Sequence, residues 1–83
     1  MEVREEVKWF GENMERILKT NDWKGGWDEC SLSYLFEALK REMVELEEAL
    51  VNEDAVSVVK ECCDVANFAM MIADKFRPTK YRT

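Results

Sequence analysis

A four-residue break, Val51-Asn52-Glu53-Asp54, separates two segments of about twenty residues that both carry apolar side chains at helical spacing. This feature constrains the chain more than any other. Two long helices joined by so short a connection have one economical arrangement, an antiparallel hairpin. The first runs from about Ser31 to Val51, with Ser31 or Ser33 available to cap it. The second runs from Asn52 or Asp54, either of which can cap it, to about Phe76, and Pro78 stands just beyond. No stretch of useful length alternates as a strand would, so the fold class is all-α.

A third amphipathic segment precedes the hairpin, from about Glu2 to Lys19. Val3, Val7, Phe10, Met14, Ile17 and Leu18 form its apolar stripe, and Glu5, Glu12 and Glu15 fall off it. Asn, Asp and two glycines in TNDWKGGWDECS then signal a loop that holds two tryptophans. With 83 residues the chain is expected to be one domain over residues 1–76, followed by a basic tail, 77–83. A domain this small gains much from a partner.

Three cysteines, two of them adjacent, and no histidine argue against a disulfide framework or a zinc site and for reduced, core-filling thiols. A net charge of −6 argues against duplex nucleic acid as a partner. No apolar run is long enough to span a membrane, and the N-terminal stretch has no apolar signal core; the expected location is the cytoplasm.

The charges of the hairpin are not all where solvation would put them. On a wheel of the first hairpin helix, Leu35, Leu39 and Leu46 lie within about 60° of Glu42, and Leu32 and Leu50 within about 80°. Glu42 is therefore inside the apolar stripe, with Glu45 at its edge. On the second, Val58, Val65, Ala69, Ile72 and Phe76 lie within about 80° of Glu61, and Asp64 falls between Phe68 and Met71. Antiparallel packing about residues 52 and 53 sets each of Glu42 and Glu45 within about one helical turn of Glu61 and Asp64. The first amphipathic segment has no such pair.

Four carboxylates gathered between packed helices lose solvation and repel one another. Lys40 and Lys60 lie off the stripe and Arg41 points away, so a hard divalent cation is the expected counter-charge. All-oxygen ligation by Glu42, Glu45, Glu61 and Asp64 suits Mg²⁺, or Mn²⁺.

EMVE on one helix, then ECCD and VANFAMMIAD on the next, resemble the ExxE and ExxD pairs of the MazG-type all-α nucleoside triphosphate pyrophosphohydrolases. The resemblance extends over residues 5–76. It also takes in NDWKGGW, which is similar to the segment preceding the motif in a small single-domain branch of that group. It implies hydrolysis of a nucleoside triphosphate to monophosphate and pyrophosphate, in a role such as nucleotide-pool housecleaning. It further implies that Glu42, Glu45, Glu61 and Asp64 hold Mg²⁺, and that one acid orients or deprotonates the attacking water. Asn67, one turn beyond Asp64, is a candidate for sugar or base. Lys24 and Trp27 are candidates for phosphate and base, and Lys75, Arg77, Lys80 and Arg82 could reach phosphates from the end of the chain.

The chain departs from the group at Arg41, where many members carry a further glutamate. Such folds complete a four-helix core by association, so a homodimer or dimer of dimers is expected, with the stripe of the first helix offering a surface. The alternative function is a non-catalytic helical dimer that binds nucleotide or a protein partner.

Overall fold

The computed structural model describes residues 1–78, apart from the side chain of Trp23. It contains three α-helices: α1 (Glu5–Asn21), α2 (Leu32–Asn52) and α3 (Ala55–Lys75), with a 3₁₀ turn at Asp22–Lys24 after α1. No strand occurs among the described residues, and none of the described helices is long and apolar enough to cross a membrane.

Local chemistry sets the boundaries. Ser31 caps α2, its hydroxyl accepting a hydrogen bond from the Tyr34 amide at 3.1 Å. Glu53 ends α2 in the left-handed conformation, φ 53°, with its amide bonded to the Leu50 carbonyl. Asp54 opens α3 and accepts a 2.6 Å hydrogen bond from the Ser57 hydroxyl, which holds its carboxyl below the ordinary value. Helix α1 starts three residues later than its sequence pattern suggests and ends at Asn21, whose side-chain amide donates to the Ile17 carbonyl.

Helices α2 and α3 form the hairpin, and α1 packs chiefly on α3. The core is small: Leu35, Ala38, Ala49 and Cys63 are its buried apolar residues. Three of the four are small, which lets the two helices approach closely. All three cysteines are free thiols, and burial raises the pKa of Cys63, as expected of a core-filling group.

Two features of the packing differ from the wheel. Leu32 and Leu50 are not core residues but remain 44% and 55% exposed, because α3 covers only one sector of α2. The stripe of α1 divides: Phe10, Met14, Ile17 and Leu18 are partly covered, while Val3 and Val7 are open. The radius of gyration, 14.0 Å, exceeds the roughly 12 Å of a compact globule this long.

The loop between α1 and α2 is strapped to the far end of α3. Gly25, at φ 94°, takes a turn that a side chain would strain. Beyond it, the Trp27 indole N–H donates to Asp74 Oδ2 at 3.1 Å, and Lys75 Nζ donates to the Asp28 carbonyl at 2.9 Å. Arg77 pairs with Asp74 at 2.9 Å. Lys80 and Arg82, with most of the expected basic tail, lie outside the described residues.

Candidate active site

Each helical period delivers its acid to the hairpin seam. Glu61 is buried at 9% exposure, Glu42 and Asp64 are half-buried, and Glu45 is exposed at the margin. Glu42, Glu45 and Glu61 each turn one carboxylate oxygen into a cluster whose atoms lie within 4.8 Å of one another. Asp64 stands beside the cluster and adds to the negative field at Glu42.

This arrangement is strained electrostatically. The pKa of Glu42 is pushed up to about 7, first by burial, then by its contact with Glu45, then by the charges of Asp64, Glu45 and Glu61. Among the described residues, Glu42 Oε2, Glu61 Oε2 and Asn67 Oδ1 are buried without a hydrogen-bond partner. All three are acceptors, which is the deficit that a cation or a donor-bearing ligand would relieve.

Lys60 corrects the wheel-based expectation. Its ammonium reaches back to Glu61 Oε1 at 3.1 Å and Asp64 Oδ2 at 2.8 Å. The reason is reach: the backbone position lies off the stripe, but a four-carbon stem carries the charge across to carboxylates one and four residues on. The two acids raise the lysine's pKa well above the ordinary value.

Two clefts flank this cluster. The smaller, of about 370 Å³, lies toward the hairpin turn and is bordered by Glu45, Glu48, Lys60 and Glu61. The larger, of about 650 Å³, is lined by Glu42, Lys60, Asp64 and Asn67 from the hairpin and by Lys24, Gly25 and Gly26 from the glycine loop. Tyr34, Phe68 and Met71 supply apolar wall.

The predicted residues therefore divide. Glu42, Glu45 and Glu61 are brought together, with Asp64 adjacent. Asn67 lines the larger cleft, 3% exposed, its Nδ2 donating to the Met14 carbonyl at 3.3 Å. Lys24 lines the same cleft. The Trp27 indole is instead engaged with Asp74, and Lys75 and Arg77 are engaged with Asp28 and Asp74. Lys60 and Tyr34 are the residues that the sequence pattern did not bring forward. For Lys60 a signal existed in its spacing of four from Asp64.

Residues 12–77 match the family model described as phosphoribosyl-ATP pyrophosphohydrolase. No curated protein and no solved structure matches the chain.

Proposed function

Because the chain belongs to the phosphoribosyl-ATP pyrophosphohydrolase family, an all-α, MazG-like family of nucleotide pyrophosphohydrolases, we propose that it hydrolyses a nucleoside triphosphate between the α and β phosphates, giving the monophosphate and pyrophosphate. Membership carries the reaction class. One observation carries the site: two buried carboxylate oxygens without partners, Glu42 Oε2 and Glu61 Oε2, at a three-acid cluster on the seam of the hairpin.

The residues fit a divalent metal. The donors are all oxygen, they converge, and their charge is otherwise poorly balanced. Glu42, Glu45 and Glu61 would hold Mg²⁺ or Mn²⁺, with Asp64 completing the set. Bound there, the ion would neutralise the triphosphate and polarise its phosphoryl oxygens.

The chain's own groups do the rest. One acid of the cluster, or a neighbouring one, orients the attacking water and accepts its proton. Water oxygen joins phosphorus, the anhydride P–O bond breaks, and pyrophosphate leaves. The larger cleft takes the nucleotide, and its volume lies within the roughly 300–1,000 Å³ of small-molecule sites. Lys24 meets phosphate at its glycine rim, and Asn67 Oδ1 accepts from a sugar hydroxyl or base N–H. Trp27 contributes by holding the loop. Phosphoribosyl-ATP carries the same triphosphate on a larger body and belongs among the candidate substrates.

The enzyme acts in this reading as a cytoplasmic homodimer or dimer of dimers, with residues 1–76 as one domain. Leu32, Phe36, Leu39, Met43, Leu46 and Leu50 recur at alternating spacings of four and three, the pattern of a coiled-coil seam. Leu32, Phe36, Met43 and Leu50 are all at least 44% exposed. A second copy of α2 is the natural cover, and Met43→Lys is expected to convert the assembly to monomers by sedimentation velocity.

The deciding experiment incubates the protein with each ribo- and deoxyribonucleoside triphosphate and with phosphoribosyl-ATP, with and without Mg²⁺, and resolves products by anion exchange. Monophosphate plus pyrophosphate, lost with chelator and in Glu61→Gln, is the expected result. Diphosphate plus phosphate refutes the bond assignment. Metal binding without turnover supports the non-catalytic binder instead.

A further inference from the structure

Lys60 salt-bridges the acid cluster from between the two clefts. Its ammonium lies 3.1 Å from Glu61 and 2.8 Å from Asp64. Those side chains are only 12% and 14% exposed, whereas that of Lys60 is 58% exposed. The lysine is thus the solvent-facing member of the trio, on a flexible four-carbon stem, and the acids sit in the hairpin seam. Its stem borders both clefts, so the same side chain reaches either one without backbone movement.

Resting on the metal-site reading above, we propose that Lys60 is a built-in counter-ion that a divalent metal displaces, and that the freed ammonium then serves as a phosphate ligand of the bound substrate. The physical argument is competition. Lys60 occupies Asp64 Oδ2, which the metal would also claim, and although it leaves Glu61 Oε2 open it holds the other oxygen of that carboxylate, so the two cations would sit within a few ångströms and repel. The displaced amine remains tethered beside both clefts, within reach of a triphosphate bound there. One residue thereby balances the charge of the metal-free site and contributes to the loaded one.

Two measurements on the intact protein test this. In the first, Mn²⁺ binding is followed by calorimetry for wild type and Lys60→Met. Removal of the competitor is expected to tighten Mn²⁺ on the order of three- to tenfold, the scale of two partly exposed ion pairs. In the second, acetylation of Lys60 by an amine-reactive ester is quantified by peptide mass spectrometry. Labelling is expected to rise when Mg²⁺ is added and to fall again when inorganic pyrophosphate is added with it.

Unchanged or weaker Mn²⁺ binding by Lys60→Met, or labelling indifferent to Mg²⁺, overturns the displacement. Labelling that rises with Mg²⁺ but ignores pyrophosphate overturns the phosphate role alone. Failure of both proteins to bind Mn²⁺ refutes the carboxylate metal site itself, and this inference with it. A fold defect in Lys60→Met is controlled by Lys60→Arg, which keeps the charge and is expected to bind Mn²⁺ no more tightly than wild type.

Discussion

Glu42→Gln separates the cost of the acid cluster from its use. In the metal-free protein the Glu42 carboxyl is raised from an ordinary 4.5 to about 7. A raised pKa means that the folded state holds the proton more tightly than the unfolded chain. The associated stability is complete below about pH 4.5 and is lost as pH rises through about 7. At about 1.36 kcal/mol per pH unit, the displacement bounds the loss at about 3.4 kcal/mol. Glu42 is only half-buried, and solvent screening reduces this to on the order of 1 kcal/mol. Glutamine keeps the shape and cannot ionise, so the variant avoids that loss. Thermal melts in chelator near pH 8 are expected to show Glu42→Gln more stable than wild type by about 4–8 °C. The gap should narrow as pH falls from about 7 and close below about pH 4.5, where Glu42 is neutral in the folded and the unfolded chain alike. Adding Mg²⁺ should raise the melting temperature of wild type and leave that of the variant nearly unmoved. A variant less stable than wild type in chelator near pH 8, or a difference independent of pH, refutes the electrostatic reasoning.

Other perturbations probe separate parts of the molecule. Leu35→Ala, at 1% exposure in the hairpin core, is expected to cost about 2–5 kcal/mol in denaturant titrations. Glu53→Gly removes a side chain from the left-handed C-cap of α2 and should stabilise the fold by about 0.5–1 kcal/mol in the same assay. Trp27→Phe keeps an aromatic ring but deletes the N–H that reaches Asp74. A rise in KM with kcat unchanged would identify Trp27 as a loop tether, whereas unchanged kinetics would refute that role.

The hairpin and the inward placement of Glu42 and Glu61 were legible because each follows from helical periodicity along a single segment, and of the two serines able to cap α2 the structure uses Ser31. The motif pair then led to the same broad group that the family match supports. What periodicity cannot carry is the end point of a long side chain. The wheel locates the Lys60 backbone off the stripe, yet its ammonium pairs with two of the four acids. Nor can it carry the neighbour count of a helix. Leu32 and Leu50 read as core, but one packed neighbour leaves them half open. The engagement of Trp27 with Asp74 joins positions 47 residues apart, and nothing local in either segment announces it.

That long reach divides the molecule in time as well as in space. The α2–α3 hairpin closes through contacts between consecutive helices, but the loop strap must bring together positions 47 apart before Trp27 and Lys75 find their mates. Releasing the strap breaks a few surface bonds and leaves the hairpin intact, so amide exchange in residues 25–30 should outpace exchange in the seam. The cleft's mouth can then breathe while the acid cluster stays assembled. Entry and escape of a ligand become a property of the loop, and persistence of the reactive end a property of the hairpin.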